Sequence, residues 1–202
     1  QPVLFLHGGP GAGTAPAHRR LFDPKRFHVV LFDQRGCGQS RPYSSLDENN
    51  TDMLIGDMEA LRQSLDINKF VLFGGSWGST LALAYSIAYP ENVSGLILRG
   101  IFLGTRPEVD WFLNDMGRFF PEAHDRFVGH LDPAERIDLL TSYFNRLVDS
   151  NPAVHQKAAE AWASYETSCS TLRAGDRHMG GTGALTMARM EAYYFINDCF
   201  KG

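Results

Sequence analysis

The chain has 202 residues, of which 44% are hydrophobic and 21% are charged, and its formal net charge is −4. This length fits one large globular domain or a core with an insertion. A small negative charge provides no basic patch, so we expect neither nucleic acid nor an anionic membrane as a partner. No apolar run approaches the ~18 residues that a membrane-spanning helix needs.

The three cysteines are odd in number and widely spaced, at Cys37, Cys169 and Cys199. Their spacing matches neither a disulfide framework nor a set of metal ligands. We therefore expect reduced thiols in a cytoplasmic protein, with no bound metal.

Four short apolar runs divide the first half of the chain, at residues 3–6, 29–32, 70–73 and 96–98. Each run is nearly continuous, which is typical of strands buried on both faces of a parallel sheet. An apolar stripe from Leu54 to Leu65 predicts a helix that Thr51 or Asp52 caps. Residues 79–89, apolar on every side, predict a second helix packed inside the domain. This alternation of strands and helices indicates right-handed βαβ units and an α/β fold.

After about residue 105 the strand-like runs stop, and aromatic-rich helical patterns separated by prolines follow. They predict helices over residues 108–119, 133–149, 152–167 and 182–196. We therefore predict two domains. Residues 1–104 form a partial parallel sheet with flanking helices, and residues 105–202 form a helical insertion or cap.

Ser76 lies between glycines in Gly-Gly-Ser-Trp-Gly, directly after an apolar strand pattern and before an apolar helix pattern. A tight turn of this kind lifts the serine above the sheet, as in the nucleophile elbow of α/β-hydrolases. The N-terminus of the following helix also favours developing negative charge. The alternative is a glycine-rich structural turn with an incidental serine. The flanking strand and helix favour the nucleophile.

A second glycine-rich segment, His-Gly-Gly-Pro-Gly, follows the first strand pattern. In α/β-hydrolases the loop after this strand supplies one backbone N–H to the oxyanion hole, and the residue after the nucleophile supplies the other. We therefore predict that the backbone N–H groups of Gly9 and Trp77 donate to the oxyanion of the tetrahedral intermediate. His7 lies beside this hole rather than across from Ser76, so we expect it to shape the loop and not to act as the base.

Several motifs follow one another along the chain in a specific order. They are HGGPG, DQRGCGQS, GGSWGSTLALAY, LRGIF, WASYE and MARMEAYYFIN. Together they resemble the proline iminopeptidase family of α/β-hydrolase serine peptidases over essentially the whole chain. Lipases and esterases share only the elbow and the oxyanion loop, and epoxide hydrolases and dehalogenases carry an aspartate at the position of Ser76.

The resemblance implies removal of an N-terminal proline from peptides without a cofactor, with a helical cap that reads the free end. By similarity, Glu166 and Glu191 bind the imino nitrogen of the substrate, and Phe102 belongs to the proline pocket. Carboxylates suit a protonated N-terminus. Without the resemblance, the sequence favours ordinary solvated helix charges for the two glutamates. Tyr165 stands where relatives often carry tryptophan, which puts the shape of the pocket in question.

The motifs above do not include a catalytic base. In this fold the triad runs Ser, then Asp or Glu, then His, with the last two after the cap. The chain begins without methionine and stops at Gly202, so we interpret it as a piece of a longer protein and expect the triad Asp and His beyond this residue. Asp176 and His178 are the tempting local pair, but a triad link between residues so close in sequence is unusual.

The remaining histidines provide no better candidate. His28 opens a strand at the wrong end of the sheet, and His18 follows the oxyanion motif in a loop. We expect His124, His130 and His155 to be solvated on helices.

The leading hypothesis is a serine aminopeptidase whose partners are peptides with an N-terminal proline. The alternatives are an esterase or amidase of the same fold, or a non-catalytic fragment that keeps a hydrolase-like fold. The sequence does not specify the oligomeric state.

Overall fold

The computed structural model describes residues 1–170 and 181–200, which divide into two compact units. The first unit contains Gln1–Gly104 and the segment that begins at Cys199, and the second contains the described residues of Thr105–Asp198. The assignment of the second unit as a cap stays a prediction.

The first unit is built on a parallel sheet with the strand order β2-β1-β3-β4. Its strands are β1 (Pro2–Leu6), β2 (His28–Leu31), β3 (Phe70–Ser76) and β4 (Val93–Ile101). All three pairings are parallel, so the predicted α/β fold is confirmed. Because β2 and β3 lie on opposite sides of β1, the order reverses at β1, and ligand sites of such sheets form at the carboxyl ends of the strands around this point.

Two helices accompany this sheet, α1 (Thr51–Ser64) and α2 (Trp77–Ala88). Neither predicted cap of α1 is correct, because the Asn50 side chain accepts the hydrogen bond from the Met53 amide at 3.0 Å. Thr51 instead donates from its hydroxyl to the Cys199 carbonyl. The side chain of Ile87 is 82% exposed, so the last turn of α2 is not packed inside the unit.

The prediction that each strand is buried on both faces is wrong for the two outer strands, β2 and β4. Every residue of β2 is half-buried or exposed. Leu4, Phe70 and Leu72 are fully buried on β1 and β3, whereas Ile97 and Ile101 on β4 are 49% and 59% exposed. The physical reason is position, because β2 and β4 are the outer strands of this sheet, and among the described residues each has a neighbouring strand on one side only.

The second unit consists of helices around an aromatic core. They are α3 (Arg106–Leu113), α4 (Pro121–Gly129), α5 (Leu139–Leu147), α6 (Pro152–Cys169) and α7 (Gly181–Ile196). In the core the rings of Phe127 and Tyr143 stack at 4.3 Å, and those of Phe127 and Tyr165 at 4.4 Å. Trp162 packs edge-on against Phe127 and Tyr143.

Two predicted helices have boundaries several residues away from those in the structure, and a further helix was not predicted. The helix predicted over residues 108–119 ends at Leu113, and a 3₁₀ helix, Asp115–Arg118, follows it. The helix predicted from residue 133 begins only at Leu139, where the Asp138 side chain caps it. Helix α4 lies between the predicted helices and begins at Pro121, because proline suits the first position of a helix as well as a break between helices.

Within residues 1–170 and 181–200, no helix is both long and apolar enough to cross a membrane. Cys37, Cys169 and Cys199 all lie in these ranges, and none of them forms a disulfide bond.

Candidate active site

Ser76 occupies the junction between β3 and α2, with a backbone φ of 54° and ψ of −126°. Residues other than glycine rarely adopt this backbone conformation, and such strain is typical of functional turns. The neighbouring glycines make the turn possible. A Cβ on Gly74 would lie 2.1 Å from the Gly78 carbonyl oxygen, and one on Gly78 would lie 2.2 Å from the Leu6 carbonyl oxygen. The strand-to-helix turn therefore has the geometry of an elbow, and the nucleophilic role of Ser76 stays a prediction.

The tight approach of β1 to α2 leads to a stability prediction. Gly78→Ala is expected to destabilise the protein by ~1–3 kcal/mol, the usual range for overpacking, because the added methyl group meets backbone. Gly56→Ala is the matched control, since a Cβ there, in α1, meets nothing within 4 Å. Its stability is expected to stay the same or rise by up to ~1 kcal/mol. Urea unfolding measures both changes, and equal stability of the two variants would contradict the close contact.

The loop after β1 lies directly against this turn. A Cβ on Gly8 would be 3.1 Å from the Gly75 carbonyl oxygen and 3.4 Å from the Ser76 Cβ. Gly9 has a φ of 104°, and a Cβ there would lie 2.6 Å from the Gly11 amide nitrogen. The structure therefore places the loop that carries Gly9 beside the serine. Trp77, the first residue of α2, is completely buried, and its amide belongs to the first turn of the helix, where backbone N–H groups favour an anion.

His7 is buried within this loop, and both of its ring nitrogens take part in hydrogen bonds. Its Nε2 accepts from the Gln34 amide at 3.1 Å, which leaves the proton on Nδ1, 3.0 Å from the Gly8 carbonyl oxygen. Burial lowers the pKa of His7 to about 4, so the ring is neutral at physiological pH. This is the arrangement expected of a residue that shapes the loop.

Asp33, for which sequence reasoning gave no role, joins the loops after β1 and β2. Its carboxylate accepts from the amide and hydroxyl of Thr14 at 2.6 and 2.8 Å, and from the Gln39 amide at 2.9 Å. Burial alone would raise the pKa of Asp33, but the hydrogen bonds from Gln39 and Thr14 lower it overall. Gly38 leaves the space for this carboxylate, because a Cβ there would lie 2.2 Å from it. In the sequence, the second glycine of DQRGCGQS, Gly38, was the residue that could have indicated this close contact with Asp33.

Phe102 follows β4 and is fixed by the first turns of α2. Its amide donates to the Ser79 hydroxyl oxygen at 3.0 Å, and its carbonyl oxygen accepts from the Thr80 hydroxyl at 2.6 Å. The side chain is half-buried. Its backbone is thus tied to the helix that begins after Ser76, and its place in a proline pocket stays a prediction.

The second unit brings Glu166 of α6 and Glu191 of α7 together. Glu191 is only 4% exposed, and the Trp162 indole N–H donates to its Oε2 at 2.6 Å. Burial raises the pKa of Glu191 well above its usual range, and the neighbouring charge of Glu166 raises it further. Burial also raises the pKa of the Glu166 carboxyl. Glu191 is therefore not a solvated surface charge.

Two carboxylates in an aromatic surrounding repel each other when both are ionised, and a cation between them relieves the repulsion. Trp162, which sequence reasoning did not single out, is fully buried and fixes one of the four carboxylate oxygens. Tyr165 lies in the aromatic core, and its hydroxyl donates to the Phe112 carbonyl oxygen at 2.7 Å. The arrangement can bind a protonated amine.

The structure corrects part of what was expected of the histidines. His28 does open β2, but His18 lies in a 3₁₀ helix, Pro16–Leu21, and stacks on Phe5 at 4.5 Å. His124 and His130 are not simply solvated. The His124 Nε2 lies 3.0 Å from the Leu113 carbonyl oxygen, and the His130 Nε2 is buried.

The pair Asp176 and His178 lies outside the described residues. In the described part of the first unit, no side chain forms a hydrogen bond with the Ser76 hydroxyl. No three His, Cys, Asp or Glu side chains form a potential metal site in the described ranges.

Comparison with known proteins adds the family context. The family model described as alpha/beta hydrolase fold matches residues 1–189. The chain is 44% identical over 205 residues to a probable proline iminopeptidase of Leptolyngbya boryana, with 99% of this chain and 64% of the relative covered. It is 43% identical over 205 residues to the proline iminopeptidase of Xylella fastidiosa strain Temecula1, with 99% and 66% covered.

Among solved structures, the proline iminopeptidase of Mycobacterium smegmatis matches 90% of this chain and 66% of its own, with a TM-score of 0.53. Its sequence is 19% identical, so this match supports the fold alone. The chain thus spans somewhat less than two thirds of the length of these curated relatives.

Proposed function

Since this chain belongs to the alpha/beta hydrolase fold family, we propose that the protein containing it is a serine aminopeptidase that releases N-terminal proline from peptides. The observation that carries the proposal is the pair of neighbouring carboxylates, buried at Glu191 and half-buried at Glu166, in a chain whose β3–α2 turn presents Ser76. A lipase or esterase needs the turn but has no use for such a carboxylate pair. The relatives named proline iminopeptidase support the same substrate class.

The reaction is acyl transfer. The Ser76 oxygen attacks the carbonyl carbon of the terminal proline and loses its proton to a base. The tetrahedral oxyanion accepts hydrogen bonds from the Gly9 and Trp77 amides. The C–N bond then breaks, the leaving amine takes the proton, and water hydrolyses the prolyl ester on Ser76 to release proline. We expect the base and its acidic partner in a part of the protein outside these 202 residues.

Recognition of the free end follows from the two glutamates. The imino group of an N-terminal proline carries two N–H bonds and a positive charge when protonated, so it can donate to one oxygen of each carboxylate. Hydrogen bonds between ionised groups are about twice as strong as neutral ones. Trp162 already occupies the Oε2 of Glu191, which leaves Oε1 for the substrate.

The test compares three substrates with the full-length protein: a prolyl arylamide with a free imino group, the same arylamide with that group blocked by acylation, and a simple aryl ester. We expect the free substrate to be cleaved and the blocked one to lose at least ~100-fold in kcat/KM, because an uncharged nitrogen leaves the carboxylates unpaired. Equal cleavage of free and blocked substrates would favour a broad amidase. Cleavage of the ester alone would favour an esterase.

A further inference from the structure

We propose that Gln34 is a positioning residue that holds the oxyanion loop against the nucleophile turn; this inference rests on the function proposed above. The Gln34 side chain bridges the two segments. Its Nε2 donates to the His7 carbonyl oxygen at 3.0 Å, and its Oε1 accepts from the Trp77 indole N–H at 2.9 Å. Its own amide donates to the His7 Nε2 at 3.1 Å.

This bridge is buried at every point. Gln34 and His7 are each 2% exposed, and Trp77 is completely buried. A buried polar group that loses its partner has no water to replace it, so such contacts are strongly favoured over any arrangement that breaks them. The three residues are therefore restricted to one relative placement.

Both ends of the bridge lie next to a predicted oxyanion donor. His7 precedes Gly9 by two residues, and Trp77 follows Ser76 directly. Gln34 itself contacts the His7 carbonyl and the Trp77 ring, and it acts on the oxyanion through the placement of the Gly9 and Trp77 amides. A misplacement of about 1 Å costs on the order of 100-fold in rate, and loss of one donor costs about 10²–10³ in kcat. Breaking the bridge should therefore affect kcat.

Asp33 does not duplicate this role. It binds the outer part of the same loops, at Thr14 and Gln39, and none of its hydrogen bonds reaches α2. Gln34 is the neighbouring residue whose side chain connects the loop to the helix that starts after Ser76.

The variant Gln34→Met keeps the length and burial of the side chain and removes both side-chain hydrogen bonds. With the full-length protein and a prolyl arylamide, we expect kcat to fall about 10- to 100-fold. We expect KM to change less than about threefold, because the glutamates proposed to bind the amine belong to the second unit and ground-state binding is not the interaction removed. Gln39→Met is the matched control, since it makes the same change on an exposed side chain of the same loop, and we expect it to leave both constants unchanged.

The second variant, Gln34→Glu, separates positioning from mere packing. Only a protonated carboxyl at this position can donate to the His7 carbonyl oxygen, and burial favours the protonated form. The kcat of this variant, divided by that of the unchanged protein at each pH, is therefore expected to rise as the pH falls from roughly 7 to 5. His7 keeps its neutral form in this window because its pKa is about 4, and Asp33 stays ionised because its pKa is lowered.

The outcomes are distinguishable when a fluorophosphonate label on Ser76 is measured beside the kinetics. An unlabelled and inactive full-length protein contradicts the proposed function and this inference with it. Labelling and normal turnover of Gln34→Met, or a change confined to KM, overturn the role of Gln34 and leave the function intact. If Gln34→Met fails to fold, Gln34→Glu decides, and a folded variant whose relative kcat stays at least about tenfold low at both pH 7 and pH 5 overturns the inference.

Discussion

Ser76→Ala is expected to lower kcat for a prolyl arylamide by on the order of 10⁵- to 10⁶-fold, the loss seen when a serine hydrolase loses its nucleophile. The reason is that no other group in the turn can form the prolyl ester. The fold should survive, because the φ of 54° at this position is set by the turn and not by the hydroxyl. Steady-state kinetics and circular dichroism of the full-length variant give the two readouts.

The control for this variant is Ser86→Ala, the same change further along α2. The Ser86 hydroxyl donates only to the Ala82 carbonyl oxygen of its own helix, so activity should remain within about twofold. Retention of more than about 1% of the activity by Ser76→Ala would show that the serine is not the nucleophile.

Glu191→Gln is expected to lower kcat/KM for the free prolyl arylamide by at least about 100-fold, mostly through KM. The glutamine can still accept from the Trp162 indole, but it lacks the charge that pairs with the protonated imino group. Removing one partner of a buried charge pair costs roughly 2–5 kcal/mol, which corresponds to this loss. Labelling of Ser76 by a small fluorophosphonate, which has no amine, should proceed at an unchanged rate.

Glu160→Gln provides the matched control, because Glu160 lies on α6 like Glu166 but is exposed. It should leave kcat/KM within about twofold. Unchanged cleavage of the free substrate by Glu191→Gln would remove this residue from the site, and an equal loss of phosphonate labelling would indicate a folding defect.

Features of the fold that depend on local sequence were predictable. The parallel strands and the strand-to-helix turn at Ser76 follow from continuous apolar runs and from glycines at fixed offsets. The motif also indicates that glycine is required at positions 74 and 78. The structure gives the reason, because a Cβ at either position would meet backbone atoms.

Features that depend on distant partners were not predictable. The exposure of Ile97 is set by what lies beside β4, and the bridge through Gln34 joins residues 43 positions apart along the chain. The pairing of Glu166 with Glu191 needs the packing of α6 on α7, which helical periodicity alone does not specify. The family resemblance assigned a role to those two glutamates, whereas the sequence pattern alone did not.

The most direct test of the central claim uses a phosphonate analogue of proline, in free and N-acylated forms, on the full-length protein. Peptide mapping by mass spectrometry identifies the labelled residue, and the rate of labelling measures recognition of the imino group. The account predicts that the free analogue modifies Ser76 at least ~100-fold faster than the acylated one, and that Glu191→Gln removes this difference. Modification of another residue, or equal rates for the two analogues, would contradict it.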